Sequence, residues 1–82
     1  MGGSLRRLSA RDVCRILGGF GFEVVTTRGS HAKLRRVTQA GLRQTLTLPL
    51  HRELAPGTLR AIYRQACRFV PEDALRPLFF TR

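Results

Sequence analysis

The chain has 82 residues, a length that predicts one domain with a modest hydrophobic core and excludes a deep substrate cavity. Lys and Arg number 15 against 5 Asp and Glu, so the formal charge is +10 and the isoelectric point is near 11.7. This surplus favours a protein that meets nucleic-acid phosphates over one whose charge serves solubility alone.

The first predicted element is a helix over residues 9–20. Ser9 and Asp12 form a capping-box pattern at its start. Apolar residues then recur at three- and four-residue spacing, and glycines follow them, as is typical of a helix end. Before this helix, residues 1–7 are expected to be a loose basic arm. Because the first fifteen residues include Arg6, Arg7, Arg11 and Asp12, and because no run of about 20 apolar residues occurs, we predict neither a signal peptide nor a membrane span.

Three strands are predicted next. Residues 22–28 are rich in β-branched side chains, which favours a strand, but strict alternation does not separate apolar from polar positions there, so we expect a bulge. A second strand is predicted to run to about Val37. The third, over residues 44–50, places Leu46, Leu48 and Leu50 on one buried face. Pro49 cannot donate a ladder hydrogen bond and therefore belongs at a strand end or an edge.

The turn between the first two strands decides which side chains share a face. Gly29-Ser30 favours a two-residue hairpin turn, so Arg28 and His31 are predicted to face each other across it. Since side chains alternate along a strand, His31, Lys33 and Arg35 then lie on one face. One imidazole and three cations on a polar sheet surface suit an anionic substrate that needs acid–base chemistry.

A second helix is predicted from Pro56, which suits a first helical turn, to just before Pro71. An apolar stripe from Leu59 to Val70 faces the core. Arg60, Arg64 and Arg68 form a second stripe at four-residue spacing, which either meets an anion or is a solvated basic face. Residues 71–77 are expected to form one acidic-capped turn, and the 71–82 tail has no assigned role.

Cys14 and Cys67 each lie inside a predicted helix, a usage typical of reduced, cytosolic proteins. A disulfide between them stays open, because both helices face one core. The cysteines and histidines lack the paired short spacings of a zinc site, so we predict no metal and no cofactor.

The order helix, three strands, helix resembles the double-stranded-RNA-binding domain. That architecture is α+β, with two helices on one face of an antiparallel three-stranded sheet. The segments Leu17 to Phe22, Arg28-Gly29-Ser30-His31, Leu48-Pro49-Leu50-His51 and Gly57-Thr58-Leu59-Arg60, in this order and at these distances, are similar to the HicA (YcfA-like) toxin family. The similarity covers about residues 8–68. It implies that residues 1–82 form a single HicA-like domain with a core at about 8–70.

The resemblance also implies a function. HicA-like proteins resemble RNA-binding domains with ribonuclease activity: they cleave mRNA in the cytoplasm, and a HicB-like antitoxin blocks them. RNA and an antitoxin are therefore the expected partners. The catalytic histidine of the family, in its Gly-Ser-His motif, carries over to His31.

RNA cleavage without a metal needs a base, an acid, and cations for the charge that builds on phosphorus. His31 suits either proton-transfer role. We expect Arg28, Lys33 and Arg35 to bind the phosphate and stabilise that charge. Further phosphate contacts are expected from Arg60 and Arg64, and the accessory candidates are Ser30 and His51.

Two other interpretations stay open. One is a non-catalytic RNA-binding module of the same fold. The other is an interaction protein whose cations serve only to meet an acidic partner, in which case binding would be salt-sensitive without any retention of RNA.

Overall fold

The structure, a computed structural model, describes residues 3–81 and forms a two-layer α+β domain. Three antiparallel strands, in the order β1-β2-β3, make the sheet. The elements in chain order are α1 (Ala10–Gly18), β1 (Glu23–Arg28), β2 (His31–Val37), β3 (Arg43–Pro49), α2 (Pro56–Ala66) and α3 (Glu72–Phe79). This confirms the predicted fold class and adds a third helix to it.

The core lies between one face of the sheet and the helices. Alternate residues of the two strands β2 and β3 supply its sheet side, namely Ala32, Leu34, Leu46 and Leu48, each at most 1 % exposed. The helices contribute the larger share, from Val13 and Leu17 in α1 to Ile62 and Ala66 in α2. Because the helices cover one face only, the other face of the sheet is open to solvent.

Helix α1 begins as predicted. The Ser9 hydroxyl accepts a hydrogen bond from the Asp12 amide, and the Asp12 carboxylate accepts one from the Ser9 amide, each at 3.0 Å. These two bonds, with the nearby Arg15 and Arg11 guanidinium groups, hold the pKa of the Asp12 carboxyl below its usual value. The cap satisfies amides that would otherwise lack a partner at the helix start.

Strand β1 contains the predicted bulge. Val24 pairs with Leu34 and Thr26 with Lys33, so Val25 is the extra residue and the register shifts between them. All six residues of β1 are exposed, and this strand is an edge of the sheet. Pro49 ends β3, the other edge strand, as its missing amide requires.

The buried face predicted for β3 is one residue too long. Leu46 and Leu48 are buried, but Leu50 lies beyond the strand and is 41 % exposed. The Leu50 amide donates to the Ser30 carbonyl oxygen at 2.6 Å, which extends the β2–β3 register by one residue, to the hairpin turn, where the core no longer covers the side chain.

The C-terminal part differs most from expectation. Helix α2 starts at Pro56 as predicted but ends at Ala66, and residues 67–70 form a turn. The following residues make a full helix, α3, not one turn, although Pro77 removes one donor from it. Burial of Leu75 and Phe79, both fully buried, outweighs that loss. The core therefore extends beyond the predicted limit at residue 70.

The N-terminal segment is not a loose arm at its described residues. Leu5 forms a β-bridge with Phe80, the Arg6 amide donates to the Phe79 carbonyl at 2.8 Å, and the Thr81 amide donates to the Ser4 carbonyl at 2.7 Å. On its other side, the Leu8 carbonyl accepts from the Leu54 amide. Residues 4–6 and 79–81 are thus joined to each other, a contact that no local pattern predicts.

Cys14 and Cys67 are both free and half-buried, which closes the question of a disulfide between them. In the described part of the chain, no helix combines the length and apolar character needed to cross a membrane.

Candidate functional site

The hairpin turn places Arg28 and His31 opposite each other. Gly29 adopts a left-handed φ of +58°, which a side chain would oppose, and Gly29-Ser30 makes the predicted two-residue connection. Arg28 pairs with His31 in the register of β1 and β2, and His31 pairs in turn with Pro49 of β3. The imidazole therefore stands on the open face of the sheet, exposed to solvent, as predicted.

The next row across the open face contains Thr26, Lys33 and Thr47, which are partners in the strand register and are all exposed. Together with Arg28 and His31 these residues line a shallow groove of about 550 Å³, called here the His31 groove. Thr27 and Ala32 complete its lining. The groove thus combines one imidazole, two cations and threonine hydroxyls on one open surface.

A third row holds Arg35, between Glu23 and Thr45. Arg35 is half-buried, and its Nε is buried without a hydrogen-bond partner. Within residues 3–81 the ion pairs are Arg15–Asp12 and Arg76–Glu72. The cations of the open face are accordingly not neutralised by a carboxylate at salt-bridge distance, and they remain available to an anion.

The threonines of the His31 groove were not among the predicted site residues. Because side chains alternate along β3, Thr47 points to the face of the sheet opposite that of Leu46 and Leu48, and the sequence alone indicates this. Its position beside Lys33 depends on strand register, and the position of Thr26 depends on the bulge at Val25. Hydroxyl groups there can donate to and accept from a ribose or a phosphate oxygen.

The two accessory candidates lie outside the lining of the His31 groove. His51 is exposed in the loop after β3 and lines a separate groove with Cys14, Leu50 and the start of α1. Its carbonyl oxygen accepts from the Ala10 amide at 3.0 Å, which gives its backbone a structural role. Ser30 sits in the turn, and its carbonyl accepts from the Leu50 amide.

The predicted set of phosphate-binding arginines is divided between two surfaces. Arg28, Lys33 and Arg35 belong to the open face of the sheet. Arg60 and Arg64 are exposed on α2, which covers the opposite face. Arg60 lines a groove formed with the N-terminal segment. The five cations therefore cannot all contact one phosphate.

Burial raises the pKa of both the Cys14 and the Cys67 thiols, which keeps them protonated and poor as nucleophiles. Across residues 3–81 there is no group of three or more His, Cys, Asp or Glu side chains arranged to hold a metal ion.

A comparison with protein families matches residues 10–66 to the family described as the HicA toxin of bacterial toxin–antitoxin systems. The matched segment runs from the start of α1 to the end of α2 and includes every residue of the His31 groove. A search of curated proteins and a search of solved structures each returned no match. A toxin of this kind implies a cognate antitoxin as its partner. The chain belongs to the HicA toxin family of bacterial toxin–antitoxin systems.

Proposed function

We propose that this toxin is an endoribonuclease that cleaves mRNA in the cytoplasm by metal-independent acid–base chemistry at His31. The observation that supports this most is the pairing of His31 with Arg28 across the hairpin turn, on an exposed face that also carries Lys33. A proton-transfer group beside unpaired cations is the minimum that transesterification of RNA requires.

In the proposed reaction, His31 removes the proton from a ribose 2′-hydroxyl. The 2′-oxygen attacks the adjacent phosphorus, a bond to the 2′-oxygen forms, and the bond to the 5′-oxygen of the next nucleotide breaks. The leaving oxygen takes a proton from the imidazolium or from water. The products are a 2′,3′-cyclic phosphate and a free 5′-hydroxyl, so no oxidant, reductant or cofactor is consumed.

The cations supply the electrostatic part. Negative charge on the non-bridging oxygens grows as the phosphorane forms. Arg28 lies opposite His31 on the neighbouring strand, and Lys33 follows His31 by two residues on the same face. Preorganised donors at such a position stabilise the transition state more than the ground state. Arg35, one row further along β2, is assigned to the neighbouring phosphate. The hydroxyls of Thr26 and Thr47 are assigned to the ribose or to phosphate oxygens.

The test compares His31→Ala with His51→Ala, two substitutions at exposed histidines of one chain. We expect His31→Ala to lower RNA cleavage by about 100-fold or more, the usual contribution of a general acid or base. Its RNA affinity should stay within about threefold of the parent, because phosphate contacts to cations dominate binding. His51→Ala should cleave at close to the parent rate, since His51 lines a different groove. Equal cleavage by the His31→Ala protein would reject the proposal.

Two measurements examine the chemistry itself. Cleavage should be unchanged by a divalent-metal chelator, and activity lost on chelation and restored by magnesium would contradict the metal-free route. Product ends should carry a 2′,3′-cyclic phosphate. Ends with a 3′-hydroxyl would exclude attack by the 2′-oxygen.

One observation favours a second candidate function, a non-catalytic RNA-binding module of the same fold. The His31 groove contains a single imidazole, because His51 is elsewhere, so acid and base roles fall on one side chain or on water. Growth arrest of the same strength by the parent and by the His31→Ala protein would support this alternative.

The proposed antitoxin is a HicB-like protein that neutralises the toxin by covering the His31 groove. The charge of +10 makes an acidic partner the complementary choice. Mixing the toxin with the product of the neighbouring reading frame should protect RNA from cleavage, and at high salt this protection should weaken.

A further inference from the structure

The second basic surface of the molecule lies on the helical layer, away from the His31 groove. It is a groove of about 580 Å³ between the N-terminal segment and the start of α2, called here the terminal groove. Its charged lining consists of Arg6, Arg7 and Arg60 with one carboxylate, Glu53, and all four are exposed. The uncharged lining comes from residues 3–5 together with Leu54 and Pro56.

The backbone that carries these arginines is held in place from two sides. The Arg6 amide donates to the Phe79 carbonyl at 2.8 Å, and Leu5 pairs with Phe80. The Leu54 amide donates to the Leu8 carbonyl at 3.0 Å. Arg6 also donates from Nη2 to the Pro77 carbonyl oxygen at 3.4 Å, which leaves most of its donors free. Guanidinium groups are therefore gathered by the fold itself, not scattered along a flexible arm.

The charges of the terminal groove are not neutralised within the molecule. No arginine of this groove takes part in an ion pair among the described residues, where the pairs are Arg15–Asp12 and Arg76–Glu72. Three like charges in one groove repel one another, and one carboxylate offsets them only in part. Arg64, exposed one turn further along α2, extends the positive surface. An anion with several charges would relieve this repulsion.

We propose that the terminal groove binds the phosphate backbone of a second segment of the same RNA strand that is cleaved in the His31 groove. This inference rests on the proposed function and extends it to the length of the substrate. The Cα atoms of the domain extend over 36 × 30 × 17 Å, and a strand that occupies both grooves must pass around its edge. At roughly 3.4 Å per nucleotide, a path comparable to these dimensions takes on the order of five to ten nucleotides.

A single-stranded segment is the form that meets this geometry, because a stiff duplex cannot turn around a domain of this thickness. Guanidinium groups can bind a phosphate with two parallel hydrogen bonds, and a single strand presents phosphates in a regular series. The terminal groove accordingly confers a preference for RNA of at least about ten to fifteen nucleotides over short oligonucleotides.

The experiment measures RNA binding by His31→Ala protein, which keeps the RNA intact. The probes are single-stranded RNAs of about 4 and about 15 nucleotides. The test variant carries Arg6→Gln, Arg7→Gln and Arg60→Gln, and the matched control carries Arg11→Gln, Arg52→Gln and Arg68→Gln, three exposed arginines outside this groove. Both lose the same charge, so a general effect of net charge is common to them.

When the terminal groove is intact, the longer RNA should bind more tightly than the shorter one. In the test variant, the affinity for the longer RNA should fall by about tenfold or more, so that this advantage is lost. The slope of log affinity against log salt should fall by about 2 in magnitude, as expected when roughly three phosphate contacts to a single strand are removed. The control should keep most of the gain. Equal losses in test and control variants would overturn the inference.

Two arms keep the result interpretable. Arg6→Gln removes the hydrogen bond to Pro77, so the melting temperatures of the test and control variants are compared first. If the triple variant is less stable, the double variant Arg7→Gln with Arg60→Gln, which retains Arg6, replaces it. Poly-glutamate is the competing probe. Loss of poly-glutamate binding with RNA affinity unchanged would assign the groove to an acidic polypeptide and overturn the proposal.

A different outcome separates this inference from the proposed function. If the parent protein fails to cleave RNA while the length effect appears, the proposed chemistry is wrong and RNA binding by the terminal groove is retained.

Discussion

The Arg36 guanidinium donates to the carbonyl oxygen of Phe69 at 2.7 Å, which ties β2 to the turn after α2. The same group donates to the Phe20 carbonyl at 2.8 Å, after α1, and to the side-chain oxygen of Gln44 at 2.6 Å, on β3. It also lies 5.0 Å from the centre of the Phe22 ring. One side chain therefore joins the sheet to the C-terminal ends of two helices.

Arg36→Met should lower the free energy of unfolding by about 2 kcal/mol or more, because two carbonyls and an amide lose a charge-assisted partner in a half-buried position. Urea denaturation measures this loss. Arg43→Met, an exposed arginine on β3, is the control and should change stability by less than about 0.5 kcal/mol. Equal effects of the two substitutions would show that the bonds of Arg36 add nothing.

Tyr63 allows a direct test of how α2 and α3 pack. Its hydroxyl donates to the Glu72 carboxylate at 2.9 Å, and burial, with this bond, raises the pKa of Tyr63 to about 12. Tyr63 is the single tyrosine in a chain without tryptophan, so its ionisation can be followed by absorbance. The folded protein should titrate near pH 12 and the denatured chain near pH 10.

The sign of the pH dependence follows from that difference. The folded state holds the phenol proton longer than the unfolded state, so the contribution of Tyr63 to stability is complete below pH 10 and is lost as pH rises toward 12. Tyr63→Phe should remove this alkaline loss. A native titration at pH 10 would mean that α3 does not cover the ring.

Helix α3 contributes to the hydrophobic core, and substitutions at two adjacent residues of this helix test that packing. Phe79 is fully buried, whereas Leu78 is 41 % exposed. Phe79→Ala should cost about 3–5 kcal/mol of stability, since it removes a large side chain from contact with Tyr63, whose ring centre lies 5.3 Å away. Leu78→Ala should cost less than about 1 kcal/mol. Thermal melting of both proteins decides, and similar melting temperatures would contradict the packing of α3.

A substitution at Lys33 distinguishes a role in stabilising the transition state from a role in substrate binding alone. It follows His31 on the open face and lies between Thr26 and Thr47. Lys33→Gln should lower kcat for RNA cleavage by about 10- to 100-fold with a smaller change in KM, because the charge it meets develops in the transition state. Arg43→Gln removes one charge at the far end of β3 and serves as the control. An effect of Lys33→Gln confined to KM would assign it to substrate binding alone.

Local rules were sufficient for much of the fold. The capping pair Ser9 and Asp12 and the Gly29-Ser30 turn each depend on residues a few positions apart, and the structure agrees with both. The alternation in β3 holds for Leu46 and Leu48 but not for Leu50. Local rules do not predict α3: they indicate a single turn over residues 71–77, whereas burial of Leu75 and Phe79 sustains a helix through Pro77.

By itself, the sequence determined that His31 faces Arg28 and shares its side of the sheet with Lys33 and Arg35, because turn length and the two-residue period of a strand settle that question locally. Only the tertiary structure decided that Arg60 and His51 lie elsewhere and that residues 4–6 join residues 79–81. Those relationships depend on which faces the core buries and on contacts between residues more than 70 positions apart, such as Arg6 and Phe79. Spacing along the chain carries no record of them.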